Sequence, residues 1–448
     1  MTGSPTTLAE SEPRTAAGRA GSAPAWHAEA FRPTDLPPVA DRALAGALVG
    51  LAGAVFCALI LGLLGLFSPV ASLVAGLATA GLAAWRWRGL PSALPAMRAW
   101  WIPVMLGATI CVVALHVAHH GQHLVIDRDP GIYATSGLWM ADNDSQIIDT
   151  DIEVFGNAEG LSPTTLGHAG GVGGRTLESQ FPHGFPAVLA LFGGLFGDGA
   201  VFIANPVLVG LAMLAIFAVA ARFVGPLGGI AAGLAVGLNP VEAFFGRDTF
   251  SEILAQIFLW GGLWLVIRSW GTRAYLPPVL AGIVFGAAMT ARLDAAAAIP
   301  ALLAALGVGL LIDRHRAVAL RPSVIGAALV TIGVTAASSV AVLEARIAST
   351  FYYVALEDRL LKLAAASIGF ILVGAAVIAL WPWLRRRLVR LSSLSRIAAA
   401  AAAVGFVGLG AFAWFVRPHV QTTLYPDTNF PARGLIEFLQ RRAGSSQI

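Results

Sequence analysis

The stretch HLVIDRDPGIYATSGLWMADND, residues 123–144, sets Asp127, Arg128 and Asp129 directly after a long apolar run. Further along, Arg247, Asp248 and Glu252 cluster in LNPVEAFFGRDTFSE, and Arg292 and Asp294 in MTARLDAA. A charge held at the centre of a membrane helix costs about 2.5–3.5 kcal/mol even on the lenient insertion scale. Asp127, Asp129, Arg247, Asp248, Glu252, Arg292 and Asp294 together at the mouths of apolar runs therefore imply a shared polar cavity. The four-residue spacing puts Asp248 and Glu252 on one helix face, and Arg247 and Arg292 offer charge-assisted hydrogen bonds to a phosphate. Salt bridges that merely stitch helix ends together are the competing reading.

Two metal chemistries are also written in the residue types. His116, His119, His120 and His123 follow an i, i+3, i+4, i+7 spacing, so a continuous helix would carry all four imidazoles on one face, where they could hold a transition metal. No Glu accompanies them in the H-E-x-x-H manner of a zinc protease. DNDSQIIDTDIE, residues 142–153, has the length of a calcium loop, with Asp144 third and Glu153 twelfth. Gln146 and Ile147 stand where that loop needs a ligand and its glycine. The glycine-rich GHAGGVGGR, residues 167–175, has the composition of a phosphate cradle but lacks the flanking strand and helix, and reads as a loop.

The elements that must position these groups are membrane helices. Of the 448 residues, 57% are hydrophobic and only 12% charged, the mean hydropathy is +0.75, and apolar runs of spanning length recur. We expect an all-α polytopic membrane protein with eleven transmembrane helices, at about 43–66, 69–85, 101–118, 200–221, 226–245, 250–268, 276–291, 294–312, 323–343, 364–382 and 397–416. Cys57 and Cys111 lie inside such runs as small apolar side chains. All but one of the 29 basic residues are arginine, the exception being Lys362, which reflects codon bias more than a nucleic-acid surface, so no nucleic-acid partner is expected.

Residues 1–40 are rich in Pro, Ala and Ser without apolar periodicity and should form a disordered cytoplasmic tail. With the N-terminus inside, Arg86, Arg88, Arg98, Arg222, Arg268, Arg273, Arg314, Arg316 and Arg321 all fall on the inner side, as the positive-inside rule prefers. The long loop, 119–199, is then external and acidic, and loops of that length are usually functional. Within it, 132–141 should form a short interfacial helix and FPHGFPAVLALFGGLFGD, 181–198, a helix along the outer surface. Residues 417–448 form an external segment in which GLIEFLQRR reads as a short amphipathic helix.

The order of features over about residues 100–312 resembles the GT-C superfamily of polyprenyl-phosphate-sugar-dependent glycosyltransferases, the group that includes protein O-mannosyltransferases, aminoarabinose transferases and arabinofuranosyltransferases. DRDPGIY is similar to the acidic motif of its first external loop, with Asp129 followed by Tyr133 and with Pro130 replacing the usual second acid. FPHGFPAVLALFGGLFGD, LNPVEAFFGRDTFSE and GAAMTARLDAAAAIPALL look like its later turns.

The resemblance implies a GT-C-like domain over 41–416 and an enzyme in the cytoplasmic membrane with its active site on the outer face. It would pass a sugar, with inversion, from a polyprenyl phosphate to a cell-envelope acceptor, namely a glycan, lipid or protein. It further implies Asp129, or Asp127, as catalytic base and Arg247 or Arg292 as phosphate clamp. Tyr133, Asp248, Glu252 and His183 would bind substrate. The resemblance names no definite cofactor beyond the lipid-linked donor substrate and leaves room for a divalent metal, and membrane lipids are the remaining partners. A transporter with an external charged vestibule is the alternative.

Overall fold

Hydrocarbon offers no partner to a backbone amide, so apolar runs in lipid satisfy their N–H and C=O groups internally as helices. A computed structural model describes residues 29–125, 129–150, 167–170 and 176–388, and these are overwhelmingly helical. In chain order the helices are α1 (Pro38–Leu63), α2 (Pro69–Arg86), α3 (Trp101–Ala118), α4 (Asp129–Asn143), α5 (Gly184–Phe196), α6 (Ala204–Leu238), α7 (Pro240–Arg247), α8 (Glu252–Ser269), α9 (Leu276–Gly286), α10 (Ala288–Ala291), α11 (Ala298–His315), α12 (Leu320–Ala348) and α13 (Thr350–Leu388). A small antiparallel sheet interrupts them, with β3 (Thr176–Ser179) between β1 (Ile148–Asp149) and β2 (His168–Gly170). The chain divides into two compact units, 1–375 and 376–448; the described part of the second is the last stretch of α13.

Among the described residues seven helical segments are long and apolar enough to cross a membrane, not eleven. Trp101–Ala118 coincides with its expected span. The spans expected at 200–221 and 226–245 correspond to the two halves of α6, which reverses at Gly225 (φ 80°), a conformation only glycine adopts cheaply. Beyond that reversal Gly229 lies against the Phe217 carbonyl and Gly233 against that of Met213, so the two halves of α6 pack side by side. Leu276–Ala291 is apolar but short, and α2 dilutes its 18 residues with Ser72, Thr79 and a terminal Arg86. The span expected at 397–416 and the external segment 417–448 lie outside the described residues.

Small residues set the closest helix contacts. α1 and α2 form a hairpin whose turn is a glycine cap: Gly65 takes φ 66°, Leu66 N–H returns to the Leu61 carbonyl at 2.9 Å, and Ser68 Oγ then accepts from Ala71 N–H to start α2. α9 and α12 run parallel and nearly touch through their backbones. A Cβ built on Gly282 would fall 2.1 Å from the Val330 carbonyl oxygen, and one on Gly333 would fall 2.2 Å from that of Val279. Gly282→Ala must push these helices apart, and we expect it to cost about 1–3 kcal/mol, read as a lower midpoint in detergent-denaturation curves; an unchanged midpoint would refute the tight packing.

Two loop helices are buried more deeply than the sequence indicates. α4 hides Ile132, Tyr133, Ala134 and Met140, and α5, expected on the surface, buries Phe185 and every residue from Ala187 to Ala190. The two pack on each other: a Cβ on Gly137 would meet Leu189 at 2.7 Å. Residues 29–37, expected to belong to a disordered tail, are held against the bundle by Thr34 N–H to the Ala221 carbonyl and Met97 N–H to the Asp35 carbonyl. Residues 1–28 lie outside the described set.

Candidate active site

Residues 121–123, 130–133 and 247–251 form a laced seam at one end of the bundle. Gly121 N–H donates to the Arg247 carbonyl at 2.6 Å, and His123 Nδ1 bonds Asp248 Oδ2. Thr249 Oγ1 donates to the Pro130 carbonyl at 2.7 Å, and Tyr133 Oη meets Ser251 Oγ at 2.8 Å. Asn205 is fully buried, and its Nδ2 lies 2.7–2.9 Å from the carbonyls of Phe245, Asp248 and Phe250, which fixes the turn between α7 and α8. The sequence carries a signal for it that our reading missed: a lone amide in the apolar run IANPVLV.

The seam delivers Asp129, first residue of α4, beside Arg292, which follows α10 in extended conformation. Arg292 pairs through NH1 with Glu252 and through Nε and NH2 with the two oxygens of Asp294, at 3.1 and 3.2 Å. Burial works against its charge, but the Asp294 hydrogen bonds and the charges of Glu252 and Asp294 prevail and hold its pKa above the usual value. Asp129 keeps solvent access on one side. Loss of water on the other sides pushes its carboxyl above the ordinary carboxylate range, against the pull of Arg292. Three acids thus surround one guanidinium that is already neutralised.

Arg247 differs. It is half-buried, its Nε has no partner, and among the described residues no carboxylate pairs with it. An unpaired guanidinium beside low-dielectric protein is poised to take a phosphate in its fork. The competing reading of salt bridges at the helix ends holds for Glu252, which pairs with Arg292, but Arg247 takes no part in it. Nor do Asp248 and Glu252 share a helix face, because Asp248 breaks the helix in extended conformation before α8 begins at Glu252.

Other candidates are enclosed by the bundle. Tyr133 is 2% exposed, stacked on Phe181 with ring centroids 4.9 Å apart and edge-on to Phe185, so it forms a wall instead of a substrate contact. Burial keeps its phenol neutral, with a pKa well above the usual value. His183 is likewise enclosed and bonds through Nδ1 to Glu344 Oε1 at 2.7 Å. Glu344, absent from our sequence reading although it stands alone in the apolar run of α12, is fully buried there. Asp127 lies outside the described residues.

The four histidines do not form a row. α3 ends at Ala118, so His116 turns inward to the Gly237 carbonyl at 2.9 Å, His119 and His120 fold back on the Leu115 and Val117 carbonyls, and His123 joins Asp248. Among the described residues no three His, Cys, Asp or Glu side chains converge to hold a metal. In the segment expected to resemble a calcium loop, Gln146 is buried and donates to the Leu59 carbonyl at 3.0 Å, and Ile148 and Asp149 form β1; residues 151–153, and 171–175 of the glycine-rich stretch, lie outside the described set.

No family model matches the chain, no curated protein matches it, and no solved structure matches it.

Proposed function

We propose that the protein is an integral membrane glycosyltransferase that moves a sugar from a polyprenyl-phosphate donor to a hydroxyl of a cell-envelope acceptor. The observation that carries this reading is the meeting, at one end of an apolar helical bundle, of a crowded carboxylate, Asp129, with Arg292, at the end of the seam that also holds the unpaired Arg247. Asp129 takes the proton from the acceptor hydroxyl as the oxygen bonds to the anomeric carbon. The bond from that carbon to the phosphate oxygen breaks, its electron pair leaves with the phosphate, and Arg247 meets the charge. Glu252 and Asp294 hold the Arg292 guanidinium in place beside the base.

The test is sugar transfer by the purified protein from a panel of radiolabelled polyprenyl-phosphate sugars to an envelope extract. Turnover of one donor supports the reading, and a folded protein that turns over none of them overturns it. With the active donor, Arg247→Gln should lower kcat/KM about 10- to 100-fold, the worth of one charge-assisted hydrogen bond, chiefly through KM because the phosphate is bound before and during transfer. An Arg292→Gln effect larger than that of Arg247→Gln would reverse the assignment of the clamp.

A further inference from the structure

A concavity lies at the opposite end of α8 from the candidate site, the 18 residues of that helix spanning about 27 Å at 1.5 Å per residue. It encloses about 460 Å³ between Thr272, Arg273, Tyr275, Arg321, Pro322 and Ile325. Its polar lining is cationic and uncompensated: among the described residues neither Arg273 nor Arg321 has an ion-pair partner. Asp313, the carboxylate that reaches Ser323 in this region, accepts from Ser323 Oγ at 2.6 Å and Trp270 Nε1 at 3.0 Å. The Thr272 hydroxyl donates to the Ser269 carbonyl.

The backbone adds to the same potential. α9 and α12 start side by side here and run parallel, Gly282 against the Val330 carbonyl and Gly286 against that of Val334, so their positive ends reinforce each other. Neither start has a side-chain cap. The rest of the lining is apolar and aromatic, with Ala319, Pro322, Ile325 and the ring of Tyr275, which is 66% exposed. A small anion would leave that apolar lining uncovered, whereas a lipid brings a phosphate for the two guanidiniums and hydrocarbon for Pro322 and Ile325, with the ring of Tyr275 at the boundary.

We propose that this cavity is a binding site for the phosphate headgroup of an anionic membrane lipid, held between Arg273 and Arg321. The inference is independent of glycosyl transfer. Its test is the melting temperature of the full chain in neutral detergent titrated with phosphatidylglycerol, phosphatidylcholine or inorganic phosphate. Phosphatidylglycerol should raise the melting temperature saturably and phosphatidylcholine should not.

The double variant Arg273→Ala/Arg321→Ala should weaken the apparent affinity for phosphatidylglycerol at least about tenfold, since each basic side chain near a membrane surface contributes about 1 kcal/mol. Arg88→Ala, outside the cavity lining, should stay within about twofold of wild type. Both variants change exposed side chains, so the lipid-free melting temperature reports whether they fold. Protection by inorganic phosphate alone, lost in the double variant, would support phosphate recognition and name a soluble source. An unchanged lipid response in the double variant, or an equal loss in Arg88→Ala, would overturn the site in favour of diffuse surface charge.

Discussion

Asp129→Asn is expected to lower sugar transfer by about 100-fold or more, the lower range for loss of a positioned general base, without lowering the stability of the protein. The two halves of this expectation have one cause. The folded carboxyl titrates above its unfolded value because the protein withdraws water from it, so its ionised form is the one that folding disfavours. The stability associated with this group is fully present below the unfolded pKa and is lost as pH rises through the folded pKa. Asparagine removes the ionisation, so the variant should melt at or above the wild-type temperature at neutral pH while turning over poorly. The wild-type rate should rise with pH as Asp129 deprotonates, over a range displaced upward from the value of about 4 for an ordinary carboxylate. Side chains that sense this titration are Arg292, whose charge favours ionisation of Asp129, and Glu252 and Asp294, which pair with that arginine. Turnover by Asp129→Asn within threefold of wild type would remove it as the base.

What the sequence made legible follows from what lipid demands locally. A bilayer-length apolar run needs no tertiary information, and Trp101–Ala118 appears where hydropathy puts it. The break between 221 and 226 was legible too, since a glycine–proline pair interrupts the apolar run at Gly225, but that the two arms fold back on each other depends on their packing. The burial of α4 and α5 was hidden for a related reason: hydropathy treats an apolar loop segment as a surface helix unless the bundle leaves room for it inside. At the site, the charged residues and their shared end were readable, but their partners were not. Glu252 lies five residues from Arg247 yet pairs with Arg292, forty residues away, and Asp248 pairs with His123, which the periodicity had placed among metal ligands. Helical spacing reports neighbours only while the helix lasts, and the helix carrying His116 ends two residues later.

The opposite end of the bundle supplies the prediction with the largest effect on stability. Arg268 grips Asp41 through two parallel hydrogen bonds of 2.8 Å, from Nε to Oδ1 and from NH2 to Oδ2, and both residues are about 95% enclosed, at 5% and 4% exposure. NH1 donates in addition to the Pro91 carbonyl at 3.2 Å, so this guanidinium joins the start of α1, the connection after α2 and the end of α8. Removing either partner leaves a buried charge without its hydrogen-bonded counterpart and with only the neighbouring Asp35–Arg222 pair to act on it, and Asp41→Ala or Arg268→Ala should each cost about 3–5 kcal/mol in a denaturation assay. The pair itself pays a desolvation cost that nearly offsets its attraction, so Asp41→Leu/Arg268→Met should recover most of the loss suffered by either single change. Additive losses in a double-mutant cycle would instead mean that each side chain acts through its own packing. Because this lock and Asp129 sit at opposite ends of α8, transfer per folded molecule should be unchanged in the double variant. A matching fall in turnover would mean that the distance between the two ends does not insulate the base from the lock.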